Sequence, residues 1–163
     1  GKTLEEVKCI AEKVIGGLRS MGMAISPCIL PGVGKPGFVL GGTEVEIGMG
    51  IHGEPGICRE EITSAAETAK KLLDRILEDF DFTGSETAML VNGLGGTPLM
   101  ELYIMNHELS GLLKERGIKV VRTIVGNYMT SLEMAGCSVT LLKLDEELKE
   151  LLEAPADTPA FKC

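Results

Sequence analysis

Three glycine-rich turns follow apolar segments in this chain, and each could bring backbone or a reactive side chain close to a ligand. The first is Gly48-Met49-Gly50-Ile51-His52-Gly53-Glu54-Pro55-Gly56. A histidine set among glycines is sterically open, so a small molecule can approach one ring nitrogen. Neutral imidazole is a competent nucleophile, and Glu54 is close enough in sequence to orient the ring or to bind a hydroxyl. Judged on chemistry alone, a lone loop histidine is more often solvated and idle.

The second turn is Asn92-Gly93-Leu94-Gly95-Gly96-Thr97. It precedes a helix N-terminus, where free N–H groups favour an anion. Its spacing is neither that of a dinucleotide fingerprint nor that of a P-loop, and it holds no lysine. A plain strand-to-helix connection is the simpler reading, with a nucleotide phosphate site and contact to a neighbouring domain or substrate loop as the alternatives. The third turn is Gly126-Asn127-Tyr128-Met129-Thr130. His107 falls inside a helical pattern beside Glu108 and reads as surface or structural. Glu44 and Glu46 share one strand face, where carboxylates two apart are commonly solvated; a catalytic pair is the less economical reading. The eight methionines mostly fall at apolar positions and read as core filler. No Ser-His-Asp set, Walker motif, two-metal carboxylate cluster or zinc motif can be assembled.

The elements that must position these turns follow from hydrophobic period. Residues 3–20 read as a helix, with Thr3 and Glu6 as a capping box, Leu4, Val7, Ile10, Ala11, Val14, Ile15 and Leu18 as its apolar face, and Gly22 to end it. Residues 24–30 suggest a short extended segment that Pro27 confines to an edge or bulge; 31–37 form a loop. Residues 38–51 look like a hairpin turning at Gly41-Gly42. In its second strand Val45, Ile47, Met49 and Ile51 point one way and Glu44, Glu46, Gly48 and Gly50 the other, a face that His52 joins if the strand runs on. A long amphipathic helix is expected over 60–80. A buried strand over 86–92 leads to a helix over 98–115, with Thr97 as N-cap and Pro98 at the first helical position. A strand over 118–126, a turn of helix within 127–136, a strand over 137–144 and a short helix over 146–153 capped by Asp145 complete the pattern. The tail over 154–159 should be irregular. The fold class expected is α/β: a two-layer domain with a mixed β-sheet of about five or six strands and about four main helices.

Composition narrows the function. The 163 residues suit one domain over 1–163. Lys and Arg total 16 against 24 Asp and Glu, a net charge of −8. Such a chain has no general attraction for nucleic acid or anionic membranes, and four Phe, two Tyr and no Trp leave little for base stacking. No apolar run is long enough to span a bilayer, and the acidic start does not read as a signal peptide. Five cysteines without a C-x-x-C pair read as reduced thiols in the cytoplasm. Neither His52 nor His107 has zinc-ligand spacing to a cysteine, so no metal is expected.

Taken together, the turns resemble the K subunit of the dihydroxyacetone (glycerone) kinases. The string from Glu44 to Gly56 is similar to that family's substrate-histidine segment. Val91 to Leu102 and Val125 to Gly136 resemble two further signatures, and Leu152 to Phe161 resembles the family's C-terminus. The four stretches keep the family's order and span most of the chain. The resemblance covers only the C-terminal domain of a subunit about twice this length, and the missing initiator Met also hints at a fragment. It implies that His52 adds to the C2 carbonyl of dihydroxyacetone as a hemiaminal, with Gly50, Gly53 and Glu54 supporting the substrate loop. It further implies a general-base Asp on a missing N-terminal domain, and ATP or an ADP relay with Mg²⁺ on a separate L-type domain or subunit, so no cofactor on this chain. A homodimer is expected, and little or no kinase activity from the chain alone. Two other readings stay open: a dihydroxyacetone-sensing regulatory paralogue that acts on transcription, and a dimerisation or scaffold domain.

Overall fold

A computed structural model describes residues 1–52 and 54–163. Its elements are α1 (Leu4–Gly17), β1 (Leu18–Ala24), β2 (Glu44–Ile47), β3 (Cys58–Glu61), α2 (Ala65–Asp79), β4 (Glu86–Gly93), α3 (Leu99–Glu115), β5 (Lys119–Gly126), β6 (Gly136–Leu144) and α4 (Glu146–Glu153). The strands form one sheet in the order β3-β2-β1-β6-β4-β5. Only β4 and β5 run parallel, joined through α3; every other pair is antiparallel. Four helices on a six-stranded mixed sheet match the expected α/β class and element counts, with α2 and α3 on one face and the smaller contacts of α1 and α4 on the other, where two layers were expected.

Alternation along β6 separates the apolar clusters. Cys137, Val139 and Leu141 join Met89 and Val91 of β4 in the main core, beneath Leu72, Leu73 and Ile76 of α2 and Leu102, Leu109 and Leu113 of α3. Leu142 and Leu144 point to the other face, where Ala88, Ile10 and Val14 of α1 and Leu148 and Leu152 of α4 meet them. At the opposite end of that face a smaller cluster holds Ala24, Met49, Leu94 and Met134. Between these two clusters the face carries small residues: Ser20 Oγ bonds Thr140 Oγ1, and Gly22 approaches Ser138.

Several expectations are corrected. The first helix stops at Gly17, and Leu18 to Ala24 pair with Leu142 to Gly136 along seven positions. Ladder bonds to the central strand override the helical period there, and Gly22 lies inside a strand. Of the segment expected over 24–30, Ala24 ends β1 and residues 25–30 form no strand; Ile29 makes an isolated bridge to Pro36. The hairpin is not 38–51. β2 pairs with β3, and residues 38–40 are not strand. The helix expected over 60–80 gives up its first residues to β3 and the following loop, and starts after Ser64, whose side chain completes a capping box with Glu67. Pro98, not Thr97, is the N-cap residue of α3. The Thr97 hydroxyl instead donates to Gly136 O and accepts from Gly136 N–H. Residues 127–136 contain no helix. The Thr3–Glu6 capping box and the Asp145 cap form as expected. Of the apolar face of α1, only Ile10 and Val14 pack against the body, while Leu4, Val7 and Ile15 are exposed.

Glu86, at the start of β4, accepts from Lys119 of β5 and Lys149 of α4. The Lys119 ammonium first, then that of Lys149, draws its carboxyl down from 4.5 to about 2. A depressed carboxyl contributes stability that is fully present above 4.5 and is lost as pH falls toward about 2. Glu86→Gln should therefore lower the urea midpoint at neutral pH and converge with the wild type at the acid end. Parallel midpoint curves across that window would show that the two lysines do not stabilise the fold through this charge.

Candidate functional site

His52 sits in the connection between β2 and β3; β2 ends at Ile47, so the strand does not run on to the histidine. That connection is fastened at both ends. Gly48 N–H donates to Gly22 O at 2.7 Å, and Ile57 N–H donates to Ile47 O at 2.7 Å. Gly48 adopts φ +84°, and a Cβ there would lie 2.7 Å from Ile57 Cγ1, so the entry requires glycine. Met49 is buried and Ile51 packs beside it against Ala24, Leu94 and Met134. These two apolar anchors leave His52 on the outer side, with its side chain 80% exposed.

The imidazole is oriented locally. His52 Nδ1 lies 3.1 Å from Glu54 Oε1, and the His52 backbone N–H donates to Glu54 Oε2 at 3.1 Å. The carboxyl of Glu54 is held below its ordinary value by its own backbone N–H and then by the His52 ring and amide. A carboxylate accepting from Nδ1–H selects the tautomer whose Nε2 lone pair is free, which is the nucleophilic form. Gly50 belongs to the same unit, because a Cβ on it would collide with Glu54 Oε2. The structure thus brings His52, Glu54 and Gly50 together; Gly53, the remaining expected support, lies outside the described residues.

Two residues escaped the sequence reading. Glu46, expected on a solvated face, is buried. It accepts from Gly56 N–H at 2.7 Å and from Arg59 Nε at 3.3 Å. Arg59 Nη1 also donates to Val39 O at 3.0 Å. Nothing in alternation alone announces a buried carboxylate. Its cation stands 13 residues away, on a strand that the sequence reading does not contain.

The other glycine turns serve packing. A Cβ on Gly95 or Gly96 would strike the backbone of Leu132 or Glu133, and one on Gly93 would strike Asn127. Gly96 N–H is spent on Met134 O, and Leu94 N–H on Gly136 O. Buried Asn92 clasps the third turn, accepting from the N–H groups of Tyr128 and Met129 and donating to Met129 O and Ser138 Oγ. The second and third turns therefore fill each other, as the strand-to-helix reading anticipates. His107 is exposed on α3. An apolar cavity of about 230 Å³ opens between α2 and α3 beside Cys137, without His52 in its lining. Burial pushes the Cys137 thiol up to about 12, so it is neutral and unreactive. Among the described residues no three His, Cys, Asp or Glu side chains gather to hold a metal ion, and no helix is long and apolar enough to cross a membrane.

Residues 1–160 match the Dak1 domain. The chain is 50% identical over 163 residues to the dihydroxyacetone-binding subunit DhaK of the PTS-dependent dihydroxyacetone kinase 1 of Listeria innocua serovar 6a, covering 99% of this chain and 50% of that one. Among solved structures, the dihydroxyacetone kinase operon co-activator DhaQ superposes with a TM-score of 0.88 at 33% identity, over 95% of this chain and 49% of its own. The dihydroxyacetone kinase of C. freundii, solved with AMP-PNP and Mg²⁺, superposes with a TM-score of 0.84 at 28% identity, over 99% and 30%. The chain thus spans about half the length of its DhaK relative.

The glycines give a two-sided expectation. Gly50→Ala pushes only against the movable end of Glu54 and should leave thermal stability nearly unchanged while shifting the His52 imidazole resonances. Gly56→Ala places its Cβ against Ile47 O and 2.7 Å from Glu46 Cγ, and should cost about 1–3 kcal/mol in chemical denaturation. Equal stability losses in both would contradict this account of the turn.

Proposed function

The chain belongs to the Dak1 domain family, and on that premise we propose that it is the substrate-binding part of a dihydroxyacetone kinase, with His52 holding dihydroxyacetone as a covalent hemiaminal. The observation that carries the reading is the exposed imidazole whose Nδ1 lies 3.1 Å from Glu54, leaving Nε2 toward solvent. The DhaK relative, named as a dihydroxyacetone-binding subunit, supports the choice of ligand.

The Nε2 lone pair adds to C2, and the C=O π electrons move to oxygen. Glu54 accepts the Nδ1 proton and returns it through water to the alkoxide, so the carboxylate is regenerated and an imidazole and a ketone become a neutral hemiaminal. Only a carbonyl compound can form that bond. Glycerol, almost the same shape, is rejected chemically, whereas an apolar pocket separates such pairs modestly. The tether also fixes the terminal hydroxyl that is to be phosphorylated, a gain in positioning.

Residues 1–163 act in this reading as a single domain, equivalent to the C-terminal half of the K subunit. The general-base Asp belongs to the N-terminal half. ATP, or an ADP relay, with Mg²⁺ belongs to an L-type domain or subunit. The C. freundii kinase solved with AMP-PNP and Mg²⁺ supports a nucleotide donor in the family. The complete assembly is a cytoplasmic homodimer, and the chain alone turns over no substrate. A second reading, a dihydroxyacetone-sensing co-regulator, is favoured by the similarity to the operon co-activator. Capture of an L-type nucleotide-binding partner supports the kinase; its absence from a pull-down supports the regulator.

Intact-mass spectrometry tests the site. The protein incubated with dihydroxyacetone should gain the mass of one dihydroxyacetone, His52→Ala should gain nothing, and glycerol should add nothing to either. Glu54→Ala should weaken adduct formation on the order of tenfold to a hundredfold. A wild-type mass unchanged at saturating dihydroxyacetone would refute the covalent reading.

A further inference from the structure

Glu46 and Arg59 stand directly opposite each other in the β2–β3 ladder, at the stem of the His52 connection. A carboxylate with 7% of its side chain exposed is costly unless its oxygens are occupied. Here one oxygen accepts from Gly56 N–H and the other from Arg59 Nε. Gly56 is the residue at which the connection turns back into β3, and its lack of a Cβ lets it pass against Ile47 O. The entry to the connection is fixed by main-chain bonding of Gly48 to Gly22. Its exit is held by this buried carboxylate as well as by Ile57.

We infer that Glu46, locked by Arg59, is a positioning residue for His52: it holds the return of the loop at Gly56, and so fixes where the imidazole presents Nε2. The inference rests on the reading of His52 as the substrate nucleophile and adds a component that reading does not contain. Arg59 does more than neutralise Glu46. Its Nη1 bond to Val39 O joins the segment before β2 to the same stem, so one guanidinium ties both approaches to the hairpin. A lysine cannot donate along two fixed directions in this way. Glu46→Gln keeps an acceptor for Gly56 N–H but turns an amide NH₂ against the Arg59 donor.

The test compares wild type, Glu46→Gln and Arg59→Lys by the dihydroxyacetone concentration needed for half-maximal adduct, by thermal midpoint, and by the ¹H–¹⁵N signals of the His52 ring and the Gly56 amide. A positioning role predicts about tenfold more dihydroxyacetone for half-saturation in both variants, a change out of proportion to the thermal midpoint, with both sets of signals displaced. Adduct formation at wild-type concentrations with undisturbed signals overturns the strut, whatever happens to the thermal midpoint. If wild type forms no adduct, the nucleophile reading falls and the resonances alone decide the strut: displaced signals uphold it and unchanged signals end it. If Glu46→Gln fails to fold, Arg59→Lys carries the same comparison.

Discussion

The structure depends on the double antiparallel pairing of β6. Seven residues of β1 and eight of β4 pair with its two sides, so the stretch from Cys137 to Leu142 is flanked by a partner strand on both sides. Because its side chains alternate, the same strand supplies Val139 and Leu141 to the helix-covered core and Leu142 and Leu144 to the opposite face. Burying a leucine fully is worth about 1.5–3 kcal/mol. One central strand therefore determines both where α2 and α3 lie and where α1 and α4 end, and the remainder of that second face is left to the loops.

Those loops gather at the end of the sheet where β4 and β5 finish, the end at which open α/β sheets commonly place ligands. Two kinds of glycine occur there and should not be confused. Gly93, Gly95 and Gly96 exist so that two stretches of main chain can touch, and their neighbours consume the N–H groups that an anion would need. Gly48, Gly50 and Gly56 shape the His52 turn, and there an imidazole with a selected tautomer is left open beside them. Glycine content alone does not distinguish a packed turn from a reactive one; the side chain that stays exposed does.

Long elements with one dominant period are legible in the sequence. β4, β5, β6, α3 and α4 lie within a residue or two of their expected bounds, because each is rich in apolar residues or bounded by a Pro, a Gly or a capping Asp. The front of the chain was misread for a physical reason. Leu18 and Met21 suit a helix face as well as a strand, and the decision is made by β6, more than a hundred residues later. Glu60 and Glu61 look like the first residues of the helix that follows until β2 claims Cys58 to Glu61 as a partner. His52 and Glu54 were legible because glycine spacing and family likeness point to them from within one short string. Glu46 and Arg59 were not, since their pairing exists only once that hairpin has closed.

The sheet's outer strands carry a further consequence. β3, at one margin, is four residues long and three of them are charged. β5, at the other, slips register opposite Thr87 and Ala88 and carries Lys119 and Arg122. Neither margin presents the long, flat, uncharged template on which a foreign strand could dock. This guards the molecule against edge-to-edge polymerisation, and it means that crowding many copies together should yield discrete particles rather than fibrils.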